Sequence, residues 1–369
     1  LENFFAPLFT IVPFLAVLTV IVFVHELGHY LVARWNNVAV EVFSIGFGPE
    51  LFGFNDKNGT RWKLSAIPLG GYVKFLGDMN AASVPDHTNV QNFDDAIKPT
   101  LFFYKSVWQR ISIVLAGPAA NIIFTFFVLY ALLIGFGRYT LEAKIDEVNV
   151  GSPAEISGLL AGDKIVRADG YMVRSFADFQ RVIATSPDKD VIVEIDRHGE
   201  IQTLTVHTGS RERTDQFGNS ATIGFLGVSR QATQEDVIFV RPAPLEAVFI
   251  TVDEMVLIVD RSFSFIGELL LGRGDVDQLG GPVKIAQISG EAASIGIFTL
   301  INLMALLSLN IGIFNLFPIP MLDGGHFIYY LYEVVRGKPL GQKAQEIGFR
   351  IGLMLVLSLM VFSLFNDLF

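Results

Sequence analysis

The chain has 369 residues, of which 51% are hydrophobic and 33 are phenylalanine, more apolar side chain than a soluble core of this size absorbs. A net charge of −10 argues against a nucleic-acid partner. With no cysteine, the chain has neither disulfides nor thiolate chemistry, and any metal must be held by His, Asp or Glu.

Residues 3–24 are free of Asp, Glu, Lys and Arg, as are 111–137, 292–322 and 351–366. The first three runs exceed the roughly 20 residues that a helix needs to cross a bilayer. The fourth reaches that length if Arg350 snorkels and the helix begins near Gln345. The predicted fold is therefore a polytopic α-helical membrane protein with four transmembrane helices. The first run lacks the basic n-region of a secretory leader and ends in His25, Glu26 and His29, so it reads as a retained span.

Arg34, Lys57, Arg61, Lys63, Lys74, Lys98, Lys105 and Arg110 crowd the segment between spans one and two, and Arg336, Lys338, Lys343 and Arg350 that between three and four. These basic segments predict a cytoplasmic face, with both termini outside and the long segment 138–291 across the membrane. In the first of them, Thr60 to Ile67 and Tyr72 to Leu76 read as two strands of a β-hairpin around Pro68-Leu69-Gly70-Gly71, preceded by the glycine-punctuated strand Ser44 to Pro49. The segment is apolar for a loop, which predicts that it dips into the membrane.

Beyond span two, strand-like runs (Ile192 to Asp196, Leu204 to Thr208) alternate with a helical stretch, Phe176 to Ala184, as in a small α+β domain. Residues 140–237 hold sixteen acidic and ten basic side chains. Leu245 to Leu271 carries Asp253, Glu254, Asp260, Arg261 and Glu268, too many charges for a fifth span and suited to an amphipathic helix. The predicted partition is 1–34 (first span), 35–104 (cytoplasmic-side segment with the hairpin), 105–138 (second span), 139–232 (compact domain), 233–296 (amphipathic region), 297–326 (third span), 327–344 (cytoplasmic loop) and 345–369 (fourth span).

His25-Glu26-Leu27-Gly28-His29 is an H-E-x-x-H motif on a helix. Its two imidazoles share a face, one turn apart, and can bind one zinc ion with Glu26 beside them as a base. Ionisable groups in a membrane span are costly, and three in five positions want a common partner. A catalytic zinc needs a third protein ligand. Span three ends in Asn315-Leu316-Phe317-Pro318-Ile319-Pro320-Met321-Leu322-Asp323-Gly324-Gly325-His326, where Asp323 and His326 both qualify, the carboxylate being favoured. His87, His198 and His207 fall outside the spans and read as surface residues.

Taken together, these motifs resemble a bacterial site-2 protease of the RseP type. The similarity includes Gly46-Phe47-Gly48-Pro49, Ile67 to Lys74, Ala116-Gly117-Pro118-Ala119-Ala120-Asn121 on span two and Gly280-Gly281-Pro282-Val283 before span three. The resemblance implies an intramembrane zinc endopeptidase of the inner membrane. One Zn²⁺ would sit on His25, His29 and Asp323, with Glu26 as catalytic base and Asn315 on the substrate backbone. The β-structure around Gly70, Gly71, Tyr72 and Val73 would clamp an unwound substrate, and the substrates would be single-span membrane proteins such as anti-sigma factors or remnant signal peptides. Ala116 to Asn121 reads as small-residue helix packing, with Asn121 available for an interhelical hydrogen bond. Residues 140–232 resemble a circularly permuted PDZ module through Gly151-Ser152-Pro153-Ala154 and Ser157 to Ile165. In it Phe225, Leu226, Gly227 and Val228 would form the turn that receives a peptide C-terminus. The RseP type has two such modules, whereas this interval holds one. The rival readings are a non-catalytic PDZ scaffold with a structural metal and a metal carrier, the latter needing more polar positions along several spans.

Overall fold

The computed structural model describes residues 2–78, 93–214, 220–230, 237–271 and 280–368. The chain forms two compact units, one of residues 1–131, 251–262 and 274–369, the other of 132–250 and 263–273.

Among the described residues four helices are long and apolar enough to span a membrane, all in the first unit except the last residues of the second helix: Phe9–Trp35 within α1 (Glu2–Trp35), α2 (Val107–Phe136), α7 (Ile297–Asn315) and Lys343–Asp367 within α9 (Gln342–Leu368). Small residues let these helices approach backbone to backbone, the usual route to packing where no hydrophobic effect operates between spans. A Cβ on Gly28 would fall 2.3 Å from the Ala116 carbonyl oxygen, and one on Gly312 3.0 Å from that of Pro118. Between α2 and α7, the Thr125 hydroxyl reaches the Ala305 carbonyl at 2.9 Å, and the Ser308 hydroxyl donates to the Asn121 carbonyl at 3.3 Å.

The expected hairpin takes a different form. Thr60 to Ile67 and Tyr72 to Leu76 do not pair with each other. They belong to one element, β2 (Arg61–Phe75), which pairs with β1 (Val40–Asn55) across the turn at 56–60. Each element doubles back on itself, so that Val42 to Ile45 lies between two segments of β2, Arg61 to Leu64 on one side and Gly71 to Lys74 on the other. Positive φ at Gly46 (86°), Gly48 (87°) and Gly70 (100°) accompanies the reversals, a conformation that glycine adopts without strain. Pro68 to Gly71 is thus a bend inside β2. The sheet packs on α1 through Tyr30, Phe43 and Trp62, whose ring centroids lie 4.1 to 5.9 Å apart.

Two further expectations change. The apolar run 292–322 is broken at Gly296 (φ 153°), so its first residues end a separate helix, α6 (Pro282–Ile295), which lies against α1, α7 and α9. The first amides of α6 are capped from the far end of the chain. The Asp367 carboxylate accepts from the N–H groups of Gly281 (2.7 Å), Val283 (2.9 Å) and Lys284 (3.2 Å). Much of the segment expected as the loop 327–344 is helical, since α8 spans Asp323–Arg336 and closes at Gly337 in the left-handed conformation.

The second unit has a four-stranded antiparallel sheet of β5 (Lys164–Ala168), β6 (Tyr171–Met172), β7 (Asp190–Arg197) and β8 (Glu200–His207) in the order β6-β5-β7-β8. Among the described residues three two-stranded ribbons accompany it: β3 (Arg138–Leu141) with β12 (Val237–Val240), β4 (Glu147–Val148) with β11 (Val228–Ser229), and β9 (Gly209–Thr214) with β10 (Ser220–Phe225). Short α3 (Pro153–Ile156) and α4 (Phe176–Ala184) complete it, the latter over the expected residues and capped by Ser175. The core gathers Ile145, Leu159, Ile165, Phe179, Val193 and Ile195, and Arg197 forks onto buried Asp163 with two 2.7 Å hydrogen bonds. The charged stretch after Pro242 is helical as expected, α5 (Pro244–Leu270).

Candidate metal centre

His25 and His29 lie one turn apart on α1, their rings 4.9 Å apart and inclined by 80°. Asp323, the first residue of α8, meets them: its Oδ2 is 3.1 Å from His25 Nε2, its Oδ1 is 3.5 Å from His29 Nε2, and the two Nε2 atoms are 3.2 Å apart. Among the described residues these three are the only group of His, Asp and Glu donors so placed. Oδ2 is buried and makes no hydrogen bond, although it lies 3.1 Å from His25 Nε2. Donor atoms converging in this way repel unless a proton or a metal cation lies between them. A tetrahedral zinc with bonds of about 2.0–2.1 Å has ligand–ligand edges of roughly 3.3–3.4 Å, so the donor set fits that ion in type and spacing.

Neighbouring backbone fixes these donors. His29 Nδ1 lies 2.8 Å from the Ile113 carbonyl, which can only accept, so Nδ1 carries a ring proton and the neutral ring presents its lone pair at Nε2. Gly117 makes room for that ring, because a Cβ there would lie 2.2 Å from His29 Nε2. Gly324 and Gly325 let α8 start tightly against the end of α7, since Cβ atoms would lie 2.2 Å from the Leu316 oxygen and 2.3 Å from the Ile319 oxygen. The span-two motif therefore packs directly on H-E-x-x-H, beyond the simple helix packing expected of it. A polar Asn121 within a run of small residues on a span was the signal for this role.

A cavity of about 560 Å³ opens onto these three donors and Glu26, which is 9% exposed. The expected clamp residues Gly70, Gly71, Tyr72 and Val73 line it, as do Asn315 and His326. Gly71 brings β2 onto the helix, for a Cβ would meet Ser44 O and Val22 Cγ1 at 2.7 Å and Glu26 Cγ at 3.0 Å. The Asn315 amide bonds back to the Ile311 carbonyl at 3.0 Å. His326 lines the cavity but is not one of the three converging donors, which favours Asp323 over it as third ligand. His198 and His207 lie in the second unit, where His207 pairs with Asp190 at the surface, and His87 lies outside the described residues. Phe225 to Val228 also belong to the second unit: Phe225 ends β10, Leu226 is buried in the core, Gly227 has φ 78°, and Val228 pairs with Val148.

An H-E-x-x-H helix met by a distant carboxylate, among apolar helices of spanning length, defines a membrane metallopeptidase. The model of peptidase family M50 matches residues 13–359. The chain belongs to this family, the site-2 proteases, and is a zinc metalloprotease. It is 45% identical over 359 residues to a protein of Agrobacterium fabrum named as a zinc metalloprotease, covering 97% of this chain and 95% of that one. A similarly named protein of Brucella suis is 46% identical over 360 residues (98% and 95%), and metalloprotease MmpA of Caulobacter vibrioides is 38% identical over 384 residues (98% and 96%).

Proposed function

We propose that the chain is an intramembrane endopeptidase in which His25, His29 and Asp323 hold the zinc and Glu26 is the general base. The spacing of the three donor atoms carries this reading, with Glu26 lining the same cavity. When bound, zinc supplies Lewis acidity toward the scissile carbonyl and a lowered pKa for water. Glu26 takes a proton from the attacking water and delivers it to the departing amide nitrogen.

The substrates are single-span membrane proteins, of the kind of anti-sigma factors or remnant signal peptides, cut in regulated intramembrane proteolysis. A helical substrate shields its own peptide bonds, so it must unwind before attack. The Gly71 to Val73 segment offers backbone partners to the unwound chain by strand addition, beside Glu26, while Asn315 holds the substrate backbone. The basic residues on the segments after spans one and three support a cytoplasmic active site in the inner membrane, with the termini and the second unit on the other side. In this reading the second unit is a single PDZ module that excludes bulky substrates or receives a peptide C-terminus at Phe225 to Val228.

Zinc content and cleavage of a reconstituted single-span substrate by wild type and Glu26→Gln test the proposal. The variant should retain zinc and lose cleavage by about 10²-fold or more. Wild-type cleavage rates in a zinc-loaded Glu26→Gln protein would refute the assignment of the base.

A further inference from the structure

The metal-binding nitrogen of His29 is freed by the Ile113 carbonyl on the far side of its ring, and His25 has a candidate for the same service. Asn121 is fully buried on α2, its amide 3.4 Å from His25 Nδ1, and its Oδ1 is a buried atom without a partner when Nδ2 faces the ring. The residue is held firmly. Its backbone carbonyl accepts from the Thr125 hydroxyl at 2.9 Å and the Ser308 hydroxyl at 3.3 Å, and a Cβ on Gly312 would lie 3.1 Å from the Asn121 Cβ.

The orientation of the amide decides which nitrogen of His25 is available. With Nδ2 toward the ring, the amide donates to Nδ1 and the imidazole proton must sit on Nε2, the atom directed at Asp323 and His29. A protonated Nε2 cannot bind a metal. With the amide turned over, an exchange of O and N that barely alters its shape, Oδ1 accepts Nδ1–H and gains a donor while Nε2 presents a lone pair.

We infer that Asn121 is a positioning residue for the metal centre, its side-chain oxygen holding His25 in the Nδ1–H tautomer and in a fixed ring orientation. This rests on the reading of His25 as a zinc ligand. The two histidines are then set by different means, His29 by a backbone carbonyl that no substitution removes and His25 by a side chain that one substitution can.

The experiment uses full-length protein in detergent, stripped of metal and titrated with zinc against a chromophoric chelator, with the visible spectrum of the Co²⁺ form as second readout. Asn121→Leu, close in volume but without an acceptor, should weaken zinc binding by about 10–100-fold and alter the Co²⁺ spectrum. Asn121→Asp, which as the carboxylate accepts but does not donate, should bind zinc within a few-fold of wild type. Wild-type affinity in Asn121→Leu overturns the inference. So does an Asn121→Asp protein as weak as Asn121→Leu, because the amide N–H would then be the group required. If Asn121→Leu does not fold, Asn121→Asp decides alone, retention supporting the inference and loss overturning it. His25→Ala tests the foundation separately: if it binds zinc as tightly as wild type, the ligand reading fails and the inference with it.

Discussion

The Tyr30 hydroxyl donates to Asp56 Oδ2 at 2.7 Å, so the residue next to His29 on α1 is tied to the turn between β1 and β2. Asp56 also accepts from Trp62 Nε1 (3.1 Å) and from the amides of Asn58 (2.8 Å) and Thr60 (2.9 Å). One carboxylate thus sets the turn and anchors the sheet that forms the cavity wall.

Burial would raise the Asp56 pKa, but the four donors outweigh it and hold the group at about 2. The folded pKa lies below the unfolded value of roughly 3.9, so the stabilisation is fully present above that value and is lost as pH falls through about 2. Asp56→Ala should lower stability by ~1–3 kcal/mol at neutral pH, and Tyr30→Phe by ~0.5–1.5 kcal/mol. Thermal melts in detergent should show the Asp56→Ala deficit constant from about pH 5 to 8 and shrinking below about pH 4. A deficit that grew on acidification would contradict this account.

Gly71→Ala should injure catalysis more than metal binding. A new Cβ cannot fit between Ser44 O, Val22 and Glu26 without moving β2 away from α1. Turnover of a single-span substrate should fall by about 10-fold or more, as displacement of positioning groups by about 1 Å commonly causes, with zinc content unchanged.

Arg110 on α2 forks onto Glu333 on α8 with hydrogen bonds of 2.7 and 3.1 Å, and its guanidinium lies 4.9 Å from the Tyr330 ring centroid. The pair is largely buried and joins the helix that contains Gly117 to the helix that begins with Asp323. Glu333→Gln should cost ~2–4 kcal/mol by leaving a cation without its partner, whereas Arg110→Met with Glu333→Leu should recover much of that loss. Chemical unfolding of the two single variants and the double variant measures the coupling.

Asp367→Ala should remove the cap of α6, at a cost of ~0.5–2 kcal/mol, and Asp367→Asn, which still accepts, should lose less. Hydrogen exchange at Val283 and Lys284 should rise more in the alanine variant than in the asparagine variant.

Much of the centre could be read from the chain because its chemistry is local or its surroundings are unusual. H-E-x-x-H is complete within five residues, so helical geometry alone puts both imidazoles on one face. The spans declare themselves by the absence of charge over lengths that a bilayer requires, and Asp323 by a carboxylate placed just beyond one of them. Composition and periodicity likewise located the helix from Phe176 to Ala184 and the charged helix after Pro242.

Only the tertiary structure decided the rest, because it depends on contacts between segments far apart in sequence. Pairing of β2 with β1 was hidden because Pro68-Leu69-Gly70-Gly71 has the composition of a turn, and only the long-range register shows it as a bend beside Glu26. Gly28 and Gly117 look like ordinary glycines on spans until each is seen to have no room for a Cβ, against Ala116 and His29. Asp367 reads as the end of a span rather than as the cap of a helix 86 residues upstream of it. The sequence by itself determined which groups could bind a metal. The packing of α2 and α8 around α1 decided that three of them meet with their donor atoms 3.1 to 3.5 Å apart, since a fixed approach of backbones, and no local propensity, sets those distances.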